Sequence, residues 1–519
     1  MSTDLFWILC LAVGLLGGIM SGVPVMLAIS GIPVAIGIIA ALFGHFDLVY
    51  FQAIPQRVFG IMENPLLLAV PLFIAMGVLL DRSQQAERML DSINRLFGGG
   101  RVVLALSVLI VSTLIAASTG VIGATIVMLG TISLPTLLRA GVDKHTATGL
   151  ICASGTLGQI IPPSIVLILL GDQVSNAYIE AQQAAGNFAP DPVTVGDLFA
   201  GALFPGLLLV ALYGIYVFFR LRGQDRERPT PVETGPVPGA GGLILDILPT
   251  FSLICAVLGS ILAGVATPTE AAGIGVAGTV LIAGAKHSRA HAGVAIATAV
   301  FALALLVLRR FDLIGATFEA GRITWTGQTI VTLALMAVLI AGVGFAAIGL
   351  HRNRVLVPAM TETLVISGMV FGIIVAASVL ALVFRGFEGD VIIEEFLTGL
   401  PGGVWGMLAI TMLVVFLLGF VLEFVEIIFI VIPIVGPVIL QSDISPVWFA
   451  VLIAMNLQTS FITPPFGFAL FYFRSVAPPE ITGMTIYRAI IPFVALQLAA
   501  IAVLVMFPGL ATWLPNAIF

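Results

Sequence analysis

The stretch SGTLGQIIPPS, residues 154–164, lies at the centre of an uncharged apolar run. A second stretch, NLQTSFITPP, residues 456–465, lies in another uncharged run near the end of the chain. Each stretch brings small and polar residues into apolar surroundings and ends in two prolines. Proline removes a backbone donor and breaks a helix, so we expect each stretch to interrupt a helix.

The apolar surroundings of the two stretches extend along the whole chain. Of its 519 residues, 60% are hydrophobic and only 9% are charged, with a mean hydropathy of +1.17, whereas soluble domains carry about 25% charged residues. Apolar runs of about 20 residues, the length that crosses a bilayer, recur throughout. A span must satisfy its own backbone hydrogen bonds, so the sequence predicts an all-α polytopic membrane protein. Residues 5–20 lack the features of a cleaved signal and are expected to stay as the first helix.

The prolines indicate that the chain contains two related halves. The proline pair at 162–163 corresponds to the pair at 464–465 with an offset of 302 residues, and we match Pro135 with Pro433 at an offset of 298. The halves are therefore expected to differ by about four residues in a connecting loop. Repeats with interrupted helices in corresponding positions are the best sequence pointer to the mid-membrane site of a secondary transporter.

The sequence of each half also indicates a helix break within a long apolar run. A straight helix over residues 102–138 would be about 55 Å long, far beyond the ~30 Å hydrocarbon core. The small and polar residues 118–123 predict a break there, and the matched offset puts its counterpart near residues 416–421, directly before Glu423. Residues 64–77 contain two prolines in an apolar run and predict a short re-entrant hairpin.

One linker divides the chain. Residues 223–242 are rich in proline and glycine and separate a first membrane half, residues 1–222, from a second, residues 243–519. The net charge is −6, and no basic tract suggests nucleic acid as a partner. Membrane lipid is the expected surrounding of both halves.

The distribution of charge predicts the orientation in the membrane. Arginines cluster at residues 82–101 and again at residues 220–228, whereas the loop 172–197 holds four acids and no lysine or arginine. Basic loops stay on the cytoplasmic side. We therefore expect both arginine clusters inside and the acidic loop in the periplasm.

Five phrases along the chain resemble those of a known family. They are GQIIPPSI from Gly158, VGDLFAGALFPGL from Val195, ATPTEAA from Ala266, LGFVLE from Leu418 and TPPFG from Thr463. In this order, over nearly the whole chain, they resemble the large membrane subunit, or M subunit, of tripartite ATP-independent periplasmic (TRAP) transporters. Residues of about 286–355 depart from the resemblance, because they add two apolar segments that the usual M subunit lacks.

The resemblance implies a sodium-coupled, elevator-type carrier of organic acids in the bacterial inner membrane. It also implies two partners: a small four-helix membrane subunit (Q) and a soluble periplasmic substrate-binding protein (P). Two sodium sites are expected, one in each half, where broken helices meet hairpins. Residues 119–121 align with a Ser-Gly-Ser stretch of the family, so Val121 offers a carbonyl where the family has a hydroxyl.

The candidate sodium ligands carry hydroxyl, amide or carbonyl oxygens and cluster at the predicted breaks. They are Ser118, Thr119, Gly120, Ser154, Thr156, Gly419, Asn456, Thr459 and Thr463. Sodium needs hard oxygen donors, and an unwound helix frees carbonyls without burying a formal charge. The alternative for these residues is tight helix packing, since small residues line helix interfaces in membranes anyway.

Three further polar residues, Gln159, Glu423 and Gln458, are candidates for contacting the substrate or coupling it to the ion. Glu423 lies about twenty residues into an otherwise apolar segment, where an acid is costly and is a functional hypothesis by default. A structural partner, such as a nearby arginine or backbone amide, is the alternative. For Glu426, one turn further on, the two roles weigh about equally.

Other functions fit less well or stay open. A membrane enzyme would need an Asp-rich metal motif or a Ser/His or Asp/Asp pair within the spans, and the sequence shows neither. Its glycine-rich strings lack the lysine and serine of a nucleotide-binding P-loop, and we expect no organic cofactor. A stand-alone proton- or sodium-coupled anion exchanger without partner subunits stays open. The substrate also stays open between C4-dicarboxylates and small 2-oxo or 2-hydroxy acids. Residues 456–463 resemble those of M subunits assigned to small monocarboxylates, and this resemblance implies such a substrate.

Overall fold

The computed structural model describes residues 3–96, 100–119, 122–222, 240–285, 289–310, 317–319, 322–324 and 326–519. Gly120, Val121 and most of the predicted linker lie outside the described residues. The helices of the first half are α1 (Thr3–Met20), α2 (Val25–Leu42), α3 (Ile54–Glu63), α4 (Ala69–Arg82), α5 (Gln85–Leu96), α6 (Arg101–Thr119), α7 (Ile122–Arg139), α8 (Lys144–Gly155), α9 (Ile165–Ala184) and α10 (Val195–Arg222).

The second half adds one feature to an otherwise helical chain, a small hairpin of strands β1 (Thr317–Glu319) and β2 (Arg322–Thr324). Its helices are α11 (Ala240–Leu262), α12 (Pro268–Ala285), α13 (Arg289–Arg310), α14 (Gly327–Arg352), α15 (Leu356–Gly386), α16 (Gly389–Thr398), α17 (Val404–Leu418), α18 (Phe424–Ile439), α19 (Pro446–Ile462), α20 (Phe468–Val476), α21 (Gly483–Met506) and α22 (Gly509–Ile518). The two extra apolar segments are α13 and α14, which pack against each other and against α12.

Seven helices of the described chain are long and apolar enough to cross a membrane, namely α2, α7, α10, α12, α14, α15 and α21. Shorter apolar helices of the described chain are α17, α18, α19 and parts of α1, α6, α11 and α13. A half-length helix leaves free carbonyls at its end and free N–H groups at the start of the next helix. Such ends are tolerated at membrane depth only where protein or a cavity surrounds them.

Helices of the two halves begin at matching positions. The first residues of α7 and α18, like those of α8 and α19, are 302 residues apart. The match of Pro135 with Pro433 is therefore wrong, because at this offset Pro135 corresponds to Pro437. The counterpart break, predicted near residues 416–421, lies slightly later in the chain. The connection between α17 and α18 spans Gly419 to Glu423.

The two halves pack on each other reciprocally. Helix α7 packs on α20, and its counterpart α18 packs on α9. Likewise α8 packs on α21, and its counterpart α19 packs on α10. The same holds for α2 with α15 and α12 with α4. When a helix of one half packs on a helix of the other half, the counterparts of these two helices also pack on each other. Such reciprocal contacts are those of two copies related by a two-fold axis. An approximate two-fold axis therefore relates the halves.

The helices form two packed groups. We call α1, α2, α4, α11, α12 and α15 the frame, since α2 packs on α15, α4 on α12 and α15, and α11 on α12. We call α6 to α10 and α17 to α21 the core bundle, which holds both breaks. The groups meet where α4 lies against α6 and α9 and where α15 lies against α18.

The frame helices α4 and α15 end in equivalent corners. Gln84 and Glu388 directly precede the short helices α5 and α16, and both have a positive φ, 55° and 54°. The hairpin predicted for residues 64–77 is wrong, because residues 65–68 form a turn and α4 then runs unbroken to its end. Pro71 lies in the first turn of α4, where its missing N–H has no helical partner to lose.

Candidate functional site

The break of the second half is the five-residue connection, Gly419 to Glu423, between α17 and α18. The turn is closed by backbone hydrogen bonds from Gly419 to Val415 and from Val421 to Leu418, at 3.0 and 2.9 Å. Glu423 follows with an extended backbone and is the N-cap of α18. The carbonyl end of α17 and the amide end of α18 therefore meet at this turn, and they provide partial charges of opposite sign.

Glu426 lies in the first turn of α18 and is almost fully buried. Its Oε2 atom is buried and has no hydrogen-bond partner among the described residues. The choice between a structural and a functional role for Glu426 stays open.

Helix α19 lies directly beside this turn. A side-chain Cβ at Gly419 would collide with the Ser460 hydroxyl, so the main chain at the break touches α19. The Asn456 side-chain amide donates to the carbonyl of Met412 in α17, at 2.6 Å. The break and the polar stretch of α19 are therefore brought together, as the candidate sodium site of the second half requires.

The hydroxyl groups of this stretch are oriented by the helix that carries them. Thr459 donates to the carbonyl of Met455 at 2.8 Å, and Thr463 donates to the carbonyl of Thr459 at 2.7 Å. A hydroxyl that gives its proton to a carbonyl keeps its lone pairs for another partner. Both oxygens can therefore accept a cation.

The first half has the same arrangement around the end of α8. The Ser154 and Thr156 hydroxyls donate to the carbonyls of Ile151 and Ala153, at 3.4 and 2.9 Å, and both side chains are fully buried. A Cβ at Gly155 would collide with Ile126, which lies one turn into α7. These hydroxyls therefore lie close to the first break.

Three candidate ligands belong to the first break itself. Ser118 and Thr119 are the last two residues of α6. Their side chains and the whole of Gly120 lie outside the described residues. Their role stays a prediction.

The two polar stretches touch at one hydrogen bond. The Gln458 side-chain amide donates to the Thr156 hydroxyl oxygen, with 3.3 Å between Nε2 and Oγ1. These residues are 302 positions apart, the offset that relates the halves. A contact between equivalent residues lies on a two-fold axis, so this bond marks the axis.

A cavity of about 190 Å³ lies between the frame and the core bundle. The frame contributes Ile74 of α4 and Ile366, Met369 and Val370 of α15. The core bundle contributes Ile122, Gly123, Ile165, Glu423, Phe424, Val425, Phe461, Phe468 and Tyr472. Glu423 is the only charged residue in this lining. Gln159 and Gln458, the other two substrate candidates, do not line the cavity.

Four helices begin at this cavity. Ile122, Ile165, Phe424 and Phe468 are the first residues of α7, α9, α18 and α20, two helices from each half. The N–H groups of a first helical turn have no partner within their helix and carry partial positive charge. Convergent helix N-termini therefore make the cavity suited to an anion.

Sequence reasoning did not find most of the cavity lining. Tyr472 lies directly over Gly123, where any Cβ would collide with its ring. In sequence, Tyr472 and Phe468 look like ordinary core residues of an apolar segment. The available signal was the position of each helix start just after a proline pair or a break.

Within the described ranges, no three His, Cys, Asp or Glu side chains come together as a metal cluster. The donors gathered at the breaks are instead hydroxyl, amide and main-chain oxygens. Such oxygens suit hard cations better than transition metals.

Comparison with known proteins agrees with this architecture. A family model described as "Tripartite ATP-independent periplasmic transporter, DctM component" matches residues 8–510. The C4-dicarboxylate TRAP transporter large permease protein DctM of Vibrio cholerae is 26% identical over 499 residues, which are 94% of this chain and 95% of that protein. The isethionate TRAP transporter permease protein DctMQ of Oleidesulfovibrio alaskensis is 24% identical over 492 residues, 92% of this chain and 63% of that protein.

A solved structure shows the same fold. The Alcanivorax borkumensis YdaH transporter superposes with a TM-score of 0.53, covering 90% of this chain and 88% of that one at 13% identity. At this identity the likeness concerns the fold alone. Because the family match spans nearly the whole sequence, this chain is an integral membrane transporter subunit and belongs to the DctM-component family of tripartite ATP-independent periplasmic transporters.

Proposed function

We propose that this chain is the permease subunit of a sodium-coupled importer of small organic acids. The observation that carries the proposal is the convergence of four helix N-termini on one cavity between the frame and the core bundle. Half-helix N-termini that point at a substrate carboxylate are a recurring device of secondary transporters. Main-chain amides can hold a carboxylate without a buried arginine.

The charge of the cavity supports coupling to a cation. No lysine, arginine or histidine is among its described lining residues, and the Glu423 carboxyl contributes a negative charge when it is ionised. A carboxylate substrate beside Glu423 is repelled in a low-dielectric site unless positive charge enters with it. Sodium ions at the two neighbouring breaks would supply that charge, so binding of substrate and sodium would depend on each other.

The position of the cavity supports an elevator movement. Its lining comes from both the frame and the core bundle, while the candidate sodium ligands all belong to the core bundle. A core bundle that slides along the frame would carry the ions and the substrate together. Its short helices move as one body because they pack on each other across the two-fold axis.

The volume of the cavity supports a small substrate. About 190 Å³ suits an acid of a few carbon atoms, such as a 2-oxo or 2-hydroxy acid or a C4-dicarboxylate. The relatives are named for different acids, a C4-dicarboxylate in one case and isethionate in another. We favour the small monocarboxylates, on the resemblance of residues 456–463.

We propose two partner proteins, a periplasmic binding protein that delivers the acid and a small membrane subunit. The tripartite name of the family supports both. The name DctMQ of one relative, of which this chain matches 63%, supports a close association with the small subunit.

Uptake by the reconstituted complex tests the proposal. Proteoliposomes that contain both membrane subunits receive binding protein loaded with a labelled acid, and uptake is compared with and without an inward sodium gradient at fixed pH. We expect accumulation only with sodium. Accumulation of the acid in sodium-free buffer would contradict sodium coupling.

A second candidate function is a proton- or sodium-coupled anion exchanger that works alone. Its proton-coupled form is favoured by the one charged lining residue, since Glu423 could carry a proton across the membrane. That form predicts uptake by this chain alone, driven by a pH gradient. Glu423→Gln would abolish such uptake.

A further inference from the structure

We infer that Gln458, a residue of the second half, positions the sodium ligand Thr156 of the first half. The inference rests on the proposed sodium coupling and names a residue that orients one of the proposed ligands. Its basis is the hydrogen bond from Gln458 Nε2 to Thr156 Oγ1 at 3.3 Å. Both side chains are completely buried.

The Thr156 hydroxyl has a limited number of partners. Its proton goes to the carbonyl of Ala153 at 2.9 Å, and one lone pair accepts the Gln458 amide. A hydroxyl oxygen has two lone pairs, so one remains for a cation. With two of its bonds fixed by neighbours on different helices, the oxygen can present this lone pair in only one direction.

The two-fold axis explains why the partner comes from the other half. Thr156 and Gln458 hold equivalent positions, and equivalent positions meet only on the axis. The halves differ there, because one supplies a hydroxyl acceptor and the other an amide donor.

A ligand that is held by a second residue binds its ion more tightly than one that rotates freely, because less freedom is lost on binding. Removing Gln458 leaves Thr156 in place but releases its orientation. The apparent sodium affinity of the first site should fall, while transport at saturating sodium should persist. A side chain that only packs the two halves together would instead lower the yield of folded protein and the maximal rate.

The experiment measures the half-saturating sodium concentration for uptake by the reconstituted complex. Gln458→Met keeps the length of the side chain and removes both amide atoms, and Thr156→Val keeps the shape and removes the hydroxyl. We expect each to raise the half-saturating sodium concentration roughly three- to tenfold, the factor that corresponds to one net hydrogen bond. The double variant should be no worse than Thr156→Val alone, because residues that share one bond are not additive.

Two controls separate positioning from packing. Thr156→Ser keeps the acceptor oxygen and should raise the half-saturating sodium concentration less than Thr156→Val does. Gln497→Met makes the same substitution at another buried glutamine, in α21, and should leave the half-saturating concentration unchanged. Thermal melting of each purified variant confirms that it is folded.

The outcomes distinguish this inference from the proposed function. If the native complex takes up substrate without sodium, the proposed sodium coupling fails and the role of Gln458 fails with it. If the native complex needs sodium but Gln458→Met leaves the half-saturating concentration unchanged, only the positioning role is overturned. Additive losses in the double variant would also overturn it, because the two residues would then act separately.

Discussion

Arg385 at the end of α15 pairs with Glu180 on α9, with its Nη2 atom 3.0 and 3.1 Å from the two carboxylate oxygens. The pair joins the frame to the core bundle. Asn64, between α3 and the frame helix α4, donates to Asp172 of α9 at 2.8 Å from Nδ2 to Oδ1. Both side chains of the ion pair are partly exposed, so it contributes at most about 1 kcal/mol to stability. The ion pair joins the two groups of helices that would move past each other in an elevator mechanism.

If the core bundle slides along the frame, Arg385 and Glu180 must separate in every cycle. A short bifunctional maleimide across the double variant Glu180→Cys and Arg385→Cys should therefore stop uptake. The matched control joins Arg82→Cys and Glu362→Cys, a pair bridged at 2.7 Å between two frame helices, and should leave uptake intact. Full uptake with α9 linked to α15 would exclude the elevator movement.

The orientation in the membrane is tested by labelling at two positions. Asn187→Cys in the acidic loop should react with an impermeant thiol reagent in intact cells. Gln224→Cys in the basic region should react only after the cells are opened, because basic loops remain inside. The reverse pattern would overturn the orientation.

Gly123 should tolerate no side chain. It is the second residue of α7, and a Cβ there would collide with the Tyr472 ring, so Gly123→Ala should destabilise the protein by about 1–3 kcal/mol, as overpacking does. Melting temperature and uptake should both fall, and Tyr472→Leu should restore part of the loss. Gly273→Ala is the control, because a Cβ there meets open space. Equal melting temperatures for the two alanine variants would show that Tyr472 moves aside.

The two proposed sodium sites should respond separately to loss of a hydroxyl. Thr119→Val and Thr459→Val each remove one oxygen donor, so each should raise the sodium concentration needed for uptake. Sodium dependence in the native complex should be steep, with a Hill coefficient above one. Glu423→Gln should weaken uptake and leave it driven by sodium. The proton exchanger would be favoured if a pH gradient drove uptake by the native complex and Glu423→Gln abolished all gradient-driven uptake.

Dependence on partners is tested by omission. This chain alone in proteoliposomes should transport poorly, and addition of the small membrane subunit and loaded binding protein should restore uptake. Binding protein loaded with an acid but added without the small subunit serves as the control. Full activity of the single chain would favour the stand-alone exchanger.

The sequence predicted the interruptions at the two proline pairs well because proline acts locally. The pairs lie between α8 and α9 and between α19 and α20, and the offset of 302 relates the starts of α7 and α18 and of α8 and α19. The wrong match of Pro135 arose because α18 contains two prolines, Pro433 and Pro437, one turn apart. Spacing alone could not choose between them. The start of α18 settles the choice.

The cavity could not be predicted in the same way. Its walls come from α4, α15 and both breaks, which only the packing brings together. Ile74 and Met369 line it from the frame, and nothing in their sequence surroundings separates them from lipid-facing residues. Glu423 was found because an acid in an otherwise apolar run is conspicuous. Tyr472 was missed because an aromatic residue there is not.

The four helix starts at the cavity have a consequence for how such a carrier can change. Their amide groups belong to the peptide backbone, which every replacement except proline retains. Mutation of the surrounding side chains can therefore change the shape of the cavity. The proposed binding groups for the anionic part of the substrate, the backbone amides, remain. A change of substrate would require altered lining residues such as Phe468 or Met369. The backbone amides that would hold the negative charge would stay the same.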